Sequence, residues 1–381
     1  MIKKFIREVR DYYQRPQGAI HLIETAMYGN EYQYIKDCLD SGKVSTIGEE
    51  VTAFEEAVAQ RVGAKYAIAT SSGTAALHLG LMVCGVQASD YVITQPFTFI
   101  ATINAILHAG GSPLFVDIDR QTLSISPAAL RAFLESAAEV RDDGCCYHRS
   151  TGQRIAACLP VHAFGHPAHL PEITALCQQY HIPVVEDAAE GLGSTRQQQP
   201  VGTFGEVGVF SFNGNKMVTS GGGGMMLTND KALARKARFI SMQSQGQSKP
   251  ATAAVGYNYR MPALNAALGL AQWQHLDESI RRKRQLTGWY QGVLEGESVS
   301  LIAEPDNTFS NYWLQTLAFP DQEMRDVFVR ETNASGIMTR ASWPLLHRHR
   351  LFASPYHAEL PNAHWAEAHL ANIPSTIMPH A

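Results

Sequence analysis

The chain has no CxxC pair, no GxxxxGKS or GxxxxGKT segment, no GxGxxG after its first strand and no internal repeat. Each absence removes a class of function. Without paired cysteines, the six cysteines (Cys38, Cys84, Cys145, Cys146, Cys158, Cys177) read as free thiols in a reducing, cytoplasmic setting, several of them inside apolar runs such as AACLPV. Without either glycine motif the chain is neither a P-loop nucleotide binder nor a dinucleotide binder of the GxGxxG type. MIKKFIREVRDYY lacks the apolar stretch of a signal peptide, and no apolar window is long enough to span a bilayer, so no membrane partner is expected. Charge of one sign is also scarce. The net charge is −4 and the only basic run is RRKR at 281–284, assigned to the solvated side of a helix, which argues against nucleic-acid binding.

What is present is an alternation. In the 381 residues, 45% hydrophobic and 17% charged, strand-length apolar runs between 65 and 230 (YAIATS, YVITQ, SPLFVDI, IAACLPVHAF, PVVED, VGVFSF, GMMLT) alternate with helical stretches such as TAALHLGLMVCG and FIATINAILHAG. This predicts an α/β fold with a mostly parallel central sheet covered by helices on both faces. After about residue 265 a long polar helix leads into a segment richer in Trp, Tyr, His and Pro. The expected organisation is an N-terminal arm (1–50), a large domain (51–270) and a smaller C-terminal α/β domain (271–381).

Ligands of open parallel sheets bind beyond the carboxyl ends of the strands. After YAIAT, Ser71-Ser72-Gly73-Thr74 opens a helix and offers bare N–H groups to a phosphate, although the tetrapeptide alone is equally an ordinary helix cap. Asp187 ends PVVED behind apolar cover and calls for a cationic partner, where a salt bridge or a cap is the bland alternative. Lys216, in SFNGNKMVTSGGGG, would alone be a solvated turn residue. Ser211 five residues earlier and Gly221 to Gly224 after it, which let backbone approach a ligand, change that reading. A phosphate seat, a shielded carboxylate and an approachable amine are together what pyridoxal 5′-phosphate (PLP) requires. Phe99, in QPFTFIAT, could stack on its ring or be a plain core aromatic.

The ordered motifs STIGEEVTAFE, SSGTAALHLGL, PFTFIAT, PVVEDAAEGLGS, FSFNGNK and NYRMPALNAALG, with NYW and NIPS further on, make the sequence resemble the DegT-type nucleotide-sugar aminotransferases, of PLP fold type I. The resemblance implies that Lys216 is the Schiff-base lysine, Asp187 the partner of the pyridine nitrogen and Phe99 the stacking aromatic. It makes Gly73, Thr74 and Ser211 phosphate ligands, with Ser72, Asn213 and Glu190 in the cofactor-binding set. Asn258, in GYNYRM, matches an asparagine that reaches the phosphate of a neighbouring subunit, implying a homodimer with shared sites. Two departures stand out: Gly222 replaces the acidic residue of a common GEGG, and Glu190 replaces a common Gln or His. FSFNGNK with the glycine run looks most like the branch that aminates UDP-linked 4-keto-6-deoxy-N-acetylhexosamines with L-glutamate, with GDP- or dTDP-linked keto sugars as the alternative. Sugar 3-dehydratases of the same scaffold have histidine for the lysine, and a PLP-binding regulatory protein without turnover is the rival of another class. Thr46, Tyr312, Trp313, Arg340 and His347 are candidate sugar or diphosphate contacts. No metal is expected, because His162 and His166 in VHAFGH straddle a strand end.

Overall fold

The computed structural model describes residues 1–244, 255–349, 352 and 359–378. Seven strands build the central sheet: β1 (Tyr66–Thr70), β2 (Tyr91–Thr94), β3 (Ser112–Phe115), β4 (Ile155–Leu159), β5 (Val185–Asp187), β6 (Val207–Ser211) and β7 (Gly224–Thr228). β3, β2 and β4 pair in parallel, as do β5 and β6. Parallel bridges Cys158↔Val184 and Val161↔Asp187 join the two groups across β4 and β5. β7 runs antiparallel between β6 and β1. The order is therefore β1-β7-β6-β5-β4-β2-β3, the expected mostly parallel sheet with one reversed strand.

β2 and β4 to β7 are buried along their whole length, as strands covered on both faces must be. The helix Gly73–Val83 is buried almost all round because Gly80 lets it lie on β6; a Cβ there would come within 2.9 Å of Val207 Cγ1. The helix Glu49–Val62 closes on Gly63 at φ +74°, a left-handed cap that glycine adopts without strain.

A second, antiparallel sheet has the order β8 (Ser300–Leu301), β9 (Gln315–Ala318), β11 (Leu370–Ile373), β10 (Arg340–Ala341). The N-terminal helix Ile2–Tyr12 joins its core, where Phe5 and Val9 pack with Leu286, Tyr290, Leu317 and Phe328. The helix Glu31–Asp40 instead sits by the helix Ala263–Trp273, with Asn30 Nδ2 donating to the Ala271 carbonyl at 3.1 Å. One core cluster runs from Phe97, Phe164 and Phe212 to Trp313, Leu314 and Trp343, so the region around the second sheet abuts the large one where the cavity described next opens. No helix among the described residues is long and apolar enough to cross a membrane.

Candidate active site

β1 to β6 all deliver their carboxyl ends to one edge of the sheet, and reversed β7 starts there. A cavity of about 350 Å³ opens at that edge, lined by Ser72, Gly73, Thr74, Phe99, Asp187, Glu190, Ser211, Asn213, Lys216, Trp313 and Arg340. The fold thus gathers residues spread over 269 sequence positions.

At one end the helix Gly73–Val83 begins. Ser72 caps it by accepting the Ala75 N–H at 3.1 Å, which leaves the first-turn N–H groups aimed outward without intrahelical acceptors. The backbone here has no room for side chains. A Cβ on Gly73 would lie 2.8 Å from Ser211 Cβ, and one on Gly224 would lie 2.5 Å from the Ser72 carbonyl oxygen. Gly223 is equally enclosed, by Ser220 and Met261, whereas Gly222 faces open space with its nearest neighbour at 4.0 Å. Gly221 has space but sits at φ +74°, so the run is three positions of necessity, one conformational and two steric, and one of choice.

Asp187 is 4% exposed. Its Oδ2 accepts from Thr102 Oγ1 at 2.8 Å and its Oδ1 from the Ala189 N–H at 3.2 Å. Burial pushes its carboxyl above the usual carboxylate range, against the lowering pull of these donors and of Lys216. Such a carboxylate is poised for a cation that a ligand brings in.

Lys216 Nζ lies 3.3 Å from Glu190 Oε1 and 3.8 Å from the centre of the Trp313 ring, over its face. Trp313 is held in turn, its Nε1 donating to the Asn215 carbonyl at 2.7 Å and its N–H to Asn311 Oδ1 at 2.8 Å. Burial raises the Glu190 carboxyl too, with Lys216 opposing. Phe99 caps the helix Ile100–His108 at the cavity mouth, 55% exposed, and Arg340 sits at the rim with its Nε donating to Asn372 Oδ1 at 3.1 Å.

Four of the sequence candidates are not brought to this cavity. Tyr312 adopts φ +48° and points elsewhere: its buried hydroxyl accepts the Glu304 N–H at 3.0 Å and its ring meets His166 edge-on. That conformation spends its polar end on the fold. Thr46 lends its carbonyl to Arg260 Nε at 2.7 Å, and His347 lies near Phe115 and His364. Asn258 is exposed and bridged to Met242. Conversely, Thr98, Thr102, Asn215 and Trp343 line the cavity without having been singled out from the sequence. Thr102 carried a usable signal, standing three residues after Phe99 on the same helical face; Trp343 carried none beyond being aromatic. No group of three or more His, Cys, Asp or Glu placed to hold a metal occurs among the described residues.

The enclosed glycine cradle at a helix start, the buried carboxylate and the amine fit a phosphorylated aromatic aldehyde with a basic ring nitrogen. Comparison with known proteins points the same way. The model of the DegT/DnrJ/EryC1/StrS aminotransferase family matches residues 26–378. EpsN of Bacillus subtilis, provisionally described as a pyridoxal phosphate-dependent aminotransferase, is 38% identical over 87% of this chain and 84% of its own. The GDP-perosamine synthase of Caulobacter vibrioides is 33% identical over 89% of this chain and 85% of its own. Among solved structures, DesI with its TDP-sugar product superposes with a TM-score of 0.82 at 26% identity, covering 96% of this chain and 90% of that one. The chain belongs to the DegT/DnrJ/EryC1/StrS aminotransferase family and is a PLP-dependent sugar aminotransferase.

Proposed function

We propose that the protein moves the amino group of L-glutamate onto the C4 ketone of a UDP-linked 4-keto-6-deoxy-N-acetylhexosamine, for a bacterial surface-glycan sugar. The observation that carries the transamination is the placing of Lys216 Nζ in one cavity with the Asp187 carboxylate and the Gly73–Ser211 cradle, while the choice of a UDP-linked 4-keto sugar rests on FSFNGNK with its glycine run. Bound there, PLP supplies an aldehyde for the amine and a ring that accepts the electrons left at the substrate carbon.

The chain's own residues do the rest. The N–H groups of Gly73 and Thr74, with the Ser211 hydroxyl, would hold the phosphate. Asp187, oriented by Thr102, keeps a proton on the ring nitrogen, and its burial makes that ion pair worth more than it would be in water. Phe99, exposed at the cavity mouth, would cover one ring face. Lys216 Nζ would take the proton from the donor's α-carbon and return one on the sugar side. Arg340 at the rim offers a guanidinium to a carboxylate or diphosphate.

The same reading calls for a homodimer. Tyr32, Ile47 and Val255 are 84%, 76% and 76% exposed in the single chain, and Phe99 stands open beside the cavity. A second copy would cover them and could bring its Asn258 to the phosphate. The test of function is a panel of UDP-, GDP- and dTDP-linked 3- and 4-keto sugars with glutamate, read by mass spectrometry, with turnover of the UDP-linked 4-keto sugar expected. A GDP-linked 4-keto-6-deoxy sugar is the second reading, favoured by the similarity to GDP-perosamine synthases. Exclusive turnover of that sugar would replace the first.

A further inference from the structure

Glu190 meets the Lys216 amine directly, and its position is fixed from three sides. Oε1 lies 3.3 Å from Nζ, Oε2 accepts the Phe164 N–H at 2.8 Å, and the residue's own carbonyl accepts from Asn311 Nδ2 at 2.8 Å. The residue is 6% exposed, so its carboxylate is largely desolvated although it lines the cavity. On the other side of the amine stands the Trp313 face, which attracts a cation and accepts no proton. The charged groups around Glu190 are Lys216 itself, Asp187 from the end of β5 and Arg340 from β10.

This geometry creates a difficulty for catalysis. An amine held as an ammonium against a carboxylate cannot act as a base. We propose that Glu190 is a catalytic proton carrier that exchanges one proton with Lys216. An N–H bond of the ammonium breaks as an O–H bond forms on Oε1, giving a neutral amine and a carboxylic acid; the reverse transfer restores the ion pair. No other bond changes and no co-reactant is consumed. The exchange replaces two opposite charges by two neutral groups, which a site shielded from water favours over an open one. Burial raises the affinity of Glu190 for a proton, and Asp187 raises it further while Lys216 opposes, which narrows the gap to an amine. A glutamine at this position could donate a hydrogen bond but could not carry the proton.

The proposal rests on Lys216 being the reactive amine, and its test separates the two. In the full-length protein without cofactor, the rate at which acetic anhydride labels Lys216 between about pH 6 and pH 10, read by peptide mass spectrometry, titrates that amine. Glu190→Gln keeps the shape and the acceptor for Phe164 but removes the charge, so labelling at neutral pH should rise about tenfold. With PLP bound, the Gln variant should convert L-glutamate about 10²-fold more slowly in a single turnover, with KM for glutamate little changed. Glu190→Asp, which keeps a titratable carboxyl, should recover part of that loss. Wild-type labelling in the Gln variant, or equal loss of rate in the Gln and Asp variants, would overturn the proposal. Failure of borohydride to fix PLP to Lys216 would instead sink the functional reading, and the labelling result would be untouched by it.

Discussion

Among the described residues two lysines turn inward, Lys216 half-buried and Lys283 buried, and the fold treats them in opposite ways. Lys216 stands in a cavity between a carboxylate and an indole face, where a ligand can reach it. Lys283, on the helix Leu276–Val293, is 3% exposed and donates to the backbone carbonyls of Trp313, at 2.8 Å, and Ser375. Burial pulls its amine down to about 7, and no carboxylate among the described residues pairs with it. The first lysine has an ionic partner and space; the second has carbonyl oxygens and none. The contrast teaches that burial does not mark a chemical lysine, whereas a proton-accepting neighbour beside an open volume does. The two are also joined, because the tryptophan whose carbonyl Lys283 holds is the one whose ring faces Lys216.

The sharpest break of this comparison is Lys216→Ala, which should lower glutamate-dependent amination by at least about 10⁴-fold while the fold, followed by circular dichroism, persists. Retained turnover would return Lys216 to the same category as Lys283. Next, Asp187→Asn should cost about 10²-fold or more in kcat, because the neutral amide cannot hold the ring nitrogen charged; steady-state kinetics with saturating PLP would show it. Lys283 makes a prediction of a different kind. Its folded-state pKa lies below its unfolded value, so the unfolded chain binds more protons between the two, and stability rises as pH increases through about 7 towards 10.5. From pH 7 to pH 9 the gain is about 2 kcal/mol, and a Lys283→Met variant should lack that slope in denaturant melts at each pH. The smallest contrast lies within the glycine run. Gly224→Ala should weaken PLP binding at least about tenfold, read by equilibrium titration, since its Cβ would strike Ser72. Gly222→Ala should change stability by less than about 0.5 kcal/mol.

Much of this arrangement is legible in the sequence. The strand runs are apolar throughout because both sheet faces are covered, and their polar termini form the cavity wall, which is why Ser72, Asp187, Ser211 and Lys216 stand out together, while their separate roles came with the family resemblance. The one reversed strand was not legible, because GMMLT looks the same in either direction. Residues from beyond the large sheet were the hardest. Trp313 reaches the amine and its neighbour Tyr312 does not, a division made by a left-handed backbone at Tyr312 that an aromatic side chain gives no hint of. Asn311 stood in the NYW motif without a role, although its side-chain amide fixes the carbonyls of Glu190 and Leu192 and its oxygen fixes Trp313.

The loop that bears Lys216 leaves the sheet on β6 and re-enters it at once on β7, the reversed strand. Its two feet are laced together, the Phe212 N–H donating to the Gly223 carbonyl and the Ser220 N–H to the Phe212 carbonyl, each at 2.9 Å. The lysine is thus tethered like a pendulum from a closed frame: its four methylenes can swing the amine from one bond to the next while the point of suspension stays still. Lengthening this loop would loosen the pivot without disturbing the strands on either side, which makes its length a dial for catalytic precision largely separate from the integrity of the sheet.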